Sequence, residues 1–112
     1  MLNKKYRFHS RGGVRYVYQK GKTARSPKIN LVYTDNSRGF TRFAVVISKK
    51  VIKSAVGRNR VRRRVYEALR RNFEDIPLKK DYIFVVYHKS IRDIPFKELE
   101  NILAELIVQS KI

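Results

Sequence analysis

The stretch Gly57-Arg58-Asn59-Arg60-Val61-Arg62-Arg63-Arg64-Val65-Tyr66-Glu67-Ala68-Leu69-Arg70-Arg71-Asn72-Phe73 leaves this chain few ways to fold. As a strand it makes no sense, because arginines would point to both faces of a sheet. At about 100° per residue, Val61, Val65, Ala68, Leu69 and Phe73 gather on one side of a helix, and Arg60, Arg63, Arg64, Arg70 and Arg71 on the other. Arg62 falls at the edge of the apolar side, where it either snorkels past the core or reaches another part of a partner. Asn59 stands where it can cap the helix as well as touch a ligand.

A charged helix face is ordinarily just solvated, but such faces mix signs. Here only Glu67 and Glu74 interrupt the arginines, and like charges one turn apart cost a few tenths of a kcal/mol per pair. An anionic partner is expected. The whole chain points the same way, with 27 Lys and Arg against 9 Asp and Glu and a net charge of +18. Arginine's planar fork suits phosphate oxygens, so the expected partner is a structured nucleic acid.

Around this helix the other elements can be read in order. Length predicts a single domain over residues 1–112, and 43% hydrophobic residues suffice for a core. Val14, Val17 and Tyr18 predict a short first helix, with Ser10 as cap and Gly21 as stop, weakened by Gly12 and Gly13. Ile29–Asp35 and Arg42–Ser48 read as strands, and the polar turn between them suggests an antiparallel pair. Alternation puts Ile29, Leu31 and Tyr33 on one face and Asn30, Val32 and Thr34 on the other. Tyr82–Tyr87 is apolar enough for a central strand covered on both faces. A last helix is marked by Phe96, Leu99, Ile102, Leu103, Leu106 and Ile107, with Lys97, Glu98, Asn101 and Glu105 opposite. The expected architecture is α+β, an α-β-β-α-β-α sandwich with helices packed on a small sheet.

Several function classes lose support. There is no Cys, hence no disulfide framework, thiolate zinc site or cysteine nucleophile. No apolar run is long enough to cross a membrane, and the basic start MLNKKYRFHS continues into polar residues, so a cytoplasmic location is expected. His9 and His88 stand apart with no motif linking them to a carboxylate pair, and Glu98, Glu100 and Glu105 read as solvated helix faces. An autonomous nuclease is therefore disfavoured. A ribosomal type of RNA-binding module and a DNA-binding protein using the arginine helix in a major groove remain as alternatives.

With Ser48-Lys49-Lys50, Ala55 and then Arg58-Asn59-Arg60-Val61-Arg62-Arg63 at this spacing, the chain resembles the protein subunit of bacterial ribonuclease P. The resemblance runs from Lys4-Lys5-Tyr6-Arg7-Phe8 through Gly21, the two strands, the arginine helix and Asp81-Tyr82-Ile83 to the final helix. It implies a left-handed crossover at the arginine helix, which periodicity alone does not supply. It also implies a division of labour. The RNA partner, with its Mg²⁺, removes the 5′ leader of precursor tRNA, and the protein, monomeric when free, holds no cofactor of its own. Arg58, Asn59, Arg60, Arg62, Arg63 and Arg70 match the surface facing the catalytic RNA. Val14, Tyr18, Leu31, Tyr33 and Lys50 match a cleft between the first helix and the sheet that holds the single-stranded leader. Read without the resemblance, Tyr18 and Tyr33 are half-buried core residues with wet hydroxyls. The chain departs from the family pattern at Val14, where an aromatic residue is common, and at Tyr66, where a basic one is.

Overall fold

The computed structural model describes residues 4–8, 11–36, 39–72 and 79–111. The expected roles of Ser10, His9, Phe73 and Glu74 lie outside them.

The elements are α1 (Arg11–Lys20), β1 (Lys22–Ala24), β2 (Ile29–Asp35), β3 (Arg42–Ile47), α2 (Ala55–Arg71), β4 (Lys80–Val86) and α3 (Phe96–Ser110). A 3₁₀ turn, Lys89–Arg92, precedes α3. The fold is mixed α+β, as the sequence predicts, with one four-stranded sheet in the order β1-β2-β4-β3.

Two expectations need correction. β2 and β3 do not form a hairpin: β4 lies between them, antiparallel to β2 (Leu31 opposite Phe84) and parallel to β3 (Val45 opposite Phe84). The reason is burial. Tyr82, Ile83, Phe84 and Val86 are all buried, and only the central position covers both faces of such a strand. α2 thus becomes the crossover between the parallel neighbours β3 and β4. Just after Gly21, where the sequence reading places no element, lies the edge strand β1, paired with β2 from Lys22–Tyr33 to Ala24–Leu31.

Period-two alternation sorts the sheet residues between two layers. Leu31, Phe43, Val45, Tyr82 and Phe84 face α2 and α3 and join Val61, Val65, Leu69, Leu99 and Leu106 in the larger core. Val32, Ala44 and Ile83 face α1, where Phe8 and Val17 complete a smaller cluster. Between the layers, buried Asp81 accepts two hydrogen bonds from Arg42, at 2.9 and 2.8 Å, and one from Asn36 Nδ2 at 2.8 Å. That paired charge ties β3 and the end of β2 to β4.

The N-terminal segment guards the open edge of β3: the Phe8 N–H donates to the Phe43 carbonyl (2.8 Å), and Arg7 bridges to Phe43 in parallel. At the other end of the sheet Gly21 allows α1 to turn into β1. A Cβ there would stand 2.5 Å from the Val17 carbonyl oxygen and 2.7 Å from that of Tyr33.

Candidate nucleic-acid interface

α2 starts earlier than its arginine pattern suggests. Ser54 is the N-cap, its Oγ accepting from the Gly57 N–H at 2.9 Å, so Asn59 is no cap but an exposed second-turn residue. Gly57 is buried with no room for a side chain, since a Cβ would meet Ile52 Cγ2 at 2.7 Å and Ser54 Oγ at 2.9 Å. This close approach folds the Ser48–Lys53 turn against the helix start.

The arginines of α2 divide by what they touch. Arg58 Nη1 donates to the carbonyls of Ile52 (2.9 Å) and Lys53 (2.8 Å), bracing that turn. Arg60 Nε donates to the Arg92 carbonyl at 3.2 Å. Arg64, expected on the outer face, folds inward and donates to the carbonyls of Ile91 (2.6 Å) and Ile94. It clamps the 3₁₀ turn, whose own start is capped by His88 Nδ1 accepting from the Ser90 N–H at 3.1 Å. Arg70 makes a two-pronged pair with Glu67 (2.6 and 2.9 Å), which holds the Glu67 carboxyl down at about 2. Arg71 lies over the Phe96 ring, 5.2 Å from its centroid. Arg63 is exposed with no partner among the described residues.

Arg62 resolves differently. Half-buried, with Nη1 on Asn59 Oδ1 at 3.2 Å, it lines a cleft of about 790 Å³ between α1 and the sheet. Phe8, Val14, Ala44 and Val46 give this cleft its apolar wall, Tyr18 stands at the rim, and Arg7, Arg15, Arg62 and Tyr66 also line it. Tyr18 is 45% exposed, and partial burial raises its hydroxyl above the usual tyrosine value.

Val14 and Tyr18 therefore line the cleft as the resemblance implies, but the other three matched positions do not. Leu31 is fully buried on the opposite face of the sheet. Tyr33 is half-buried on that same face, tilted against Tyr82, with the Lys80 ammonium 5.5 Å from its ring. Strand parity is the cause: Val32, between them, faces α1. Lys50 is exposed in the turn after β3, away from the cleft lining. The residues that sequence reasoning missed are Phe8, Ala44, Val46, Arg7 and Arg15. The alternation of Ala44 and Val46 with Phe43, Val45 and Ile47 was a usable signal for the first face, whereas nothing local ties Arg7 to α2.

Cleft and arginine helix adjoin through Arg62 and Tyr66, so a single-stranded segment in the cleft and a structured polyanion on α2 can be held side by side. Among the described residues no three of His, Asp and Glu gather where they could hold a metal ion, and no helix is long and apolar enough to cross a membrane.

The chain is similar to known proteins both in sequence and in fold. The profile of the family described as Ribonuclease P matches residues 2–111. The Ribonuclease P protein component of Vibrio campbellii is 34% identical over 90 residues, covering 80% of this chain and 75% of that protein. That of Pelotomaculum thermopropionicum is 32% identical over 96 residues, covering 86% and 84%. The same fold is found in the RNase P protein of Staphylococcus aureus (TM-score 0.82, 23% identity, 96% of each chain). It recurs in that of Thermotoga maritima (TM-score 0.83, 23% identity, 92% of this chain and 96% of the other).

Proposed function

Since the chain belongs to the ribonuclease P protein component family, whose members are the protein part of an RNA–protein enzyme of tRNA processing, we propose that it binds the catalytic RNA through α2 and the 5′ leader of precursor tRNA in the α1–sheet cleft. The observation that carries this reading is the continuity of the two surfaces: an open, mostly apolar cleft that meets the arginine-rich helix at Arg62 and Tyr66. Unpaired bases stack on aromatic side chains for about 1 to 3 kcal/mol each, and exposed Tyr18 offers such a face. Structured RNA suits the outer side of α2, where exposed Arg63 and the donors that Arg58 and Arg60 do not spend among the described residues meet phosphates.

The chemistry belongs to the RNA partner and its Mg²⁺. Among the described residues the carboxylates do not fit a magnesium site: no three of them gather, Asp81 is held by Arg42 and Asn36, Glu67 by Arg70, and Glu100 lies near Asn72 and Arg71. What the chain supplies is affinity and alignment, placing the leader beside the catalytic RNA so that less magnesium is needed to offset backbone repulsion.

A general RNA-binding protein would share the charge and the arginine helix but would have no use for the cleft. The deciding experiment is cleavage of precursor tRNA at low magnesium by a bacterial ribonuclease P RNA, with and without the chain, beside the chain alone. Stimulation only in the mixture is expected. Cleavage by the protein alone, or no stimulation of its own organism's RNA, overturns the proposal.

A further inference from the structure

The end of the cleft that abuts α2 carries more than its apolar wall requires. Arg7 is fixed there by the backbone bridge to Phe43, and its guanidinium carbon lies 5.6 Å from the Tyr66 ring. Its Nε is buried and has no hydrogen-bond partner among the described residues. A buried N–H left unpaired is destabilising, the more so when it is charged. Arg62 reaches the same place from α2, with only one nitrogen engaged, on Asn59. Both cations lie close enough to the Tyr66 hydroxyl to pull its pKa down, along with a backbone hydrogen bond from Val45, against the larger upward push of burial. Among the described residues no carboxylate pairs with Arg7 or Arg62.

Two guanidiniums and a phenol therefore converge on one wall without a counter-charge. Of the other lining side chains only Tyr18 and Gln19 carry an oxygen, and neither supplies a counter-charge to the two guanidiniums. An anion with several oxygens does, and it must belong to a molecule whose other parts suit the apolar remainder of the same cleft. A phosphodiester in a single strand meets both conditions, its bases lying toward Tyr18 and its phosphate toward α2.

We propose that Arg7, Arg62 and the Tyr66 hydroxyl form a subsite for one backbone phosphate of the leader, so that Arg62 serves the substrate and not the catalytic RNA. This rests on the leader reading above and assigns α2 two functions: outward arginines for the RNA partner, and one cleft-facing arginine for the substrate.

The test uses enzyme reconstituted from the full chain and its ribonuclease P RNA, with precursor tRNAs carrying one uncharged methylphosphonate linkage at successive leader positions. With the wild-type protein, one position is expected to lose about tenfold or more in affinity. With Arg62→Gln or Arg7→Gln, the same linkage is expected to cost less than about threefold, because the charge it removes no longer has a partner. Tyr66→Phe, which keeps the ring, gives an intermediate penalty. Thermal unfolding of each variant confirms that the fold is retained. If every penalty in the variants equals that in the wild type while precursor is still preferred over mature tRNA, the subsite is overturned and the leader cleft survives. If Arg62→Gln weakens binding of the catalytic RNA alone as much as that of the precursor, the phosphate comes from the catalytic RNA and the assignment to the leader is overturned. Equal binding of precursor and mature tRNA by the wild-type enzyme overturns the leader reading and the subsite together.

Discussion

The two faces of the sheet are built from the same kind of residue and end up doing different things. On one, α2 and α3 together cover Phe43, Val45, Tyr82 and Phe84, and the three rings stack at centroid separations of 5.6 to 6.5 Å. On the other, the single ten-residue helix α1 covers Val32 and Ile83 but leaves Val46 half-exposed beside a cleft. A four-stranded sheet is too broad for one short helix to cover, so incomplete coverage is the geometric source of the cleft. The filled face supplies rigidity, and the half-filled face has apolar area left for a ligand.

That contrast breaks if substitutions on the two faces behave alike. The largest effect is expected from Phe84→Ala, which empties a fully buried site between the helices and the central strand. About 3–5 kcal/mol of stability should be lost, read by denaturant unfolding. A smaller, pH-dependent loss comes from the same face. Burial pushes the Tyr82 hydroxyl up to about 12, with Ser110 beside it acting in the opposite direction. The folded chain holds that proton more tightly than the unfolded one, so the associated stability is complete below about pH 10 and disappears as pH rises through 12. Tyr82→Phe should flatten that part of the pH profile. On the half-filled face, Tyr18→Ala removes an exposed ring and should change stability by less than about 0.5 kcal/mol. It should nonetheless weaken precursor binding by about 1–3 kcal/mol while sparing mature tRNA. Equal losses for the two RNAs would mean that Tyr18 does not meet the leader.

What the sequence revealed follows the same division. α2 and α3 were legible because their apolar residues recur at helical spacing, and β4 because it is apolar on both faces. Pairing was not legible: the polar Asn36–Gly39 turn suited a hairpin, but the competition of β4 for the middle of the sheet is a tertiary effect. β1 was missed because three residues, Lys22, Thr23 and Ala24, carry almost no pattern. At the site, Val14 and Tyr18 were found through the resemblance. Leu31 and Tyr33 were misplaced because matching positions along a strand does not fix which face they occupy, although the alternation that separates them from Val32 was already in view. The direction of Arg62, at the margin of the apolar stripe, was the one hint that α2 has a third side.

The smallest expected effect, on salt dependence, separates the arginines of α2 from one another. Arg64 spends its donors on the Ile91 and Ile94 carbonyls, whereas Arg63 has no partner among the described residues. Arg64→Ala should therefore cost about 1–3 kcal/mol of stability, since it leaves two carbonyls of the turn before α3 without their charged donor. Its effect on the salt dependence of catalytic-RNA binding should be slight. Arg63→Ala should do the reverse. Stability stays within about 0.5 kcal/mol, and the slope of log affinity against log salt falls by about 0.7 to 0.9, as expected when one phosphate is no longer neutralised. Between 50 and 200 mM salt that slope change amounts to only about a threefold difference, so a full titration is needed in place of a single affinity. If instead Arg64→Ala lowers the slope by as much as Arg63→Ala with the fold intact, the clamp releases in the complex and both arginines meet RNA. The two sides of α2 would then be exchangeable, and the separation between bracing and binding arginines would not survive RNA binding.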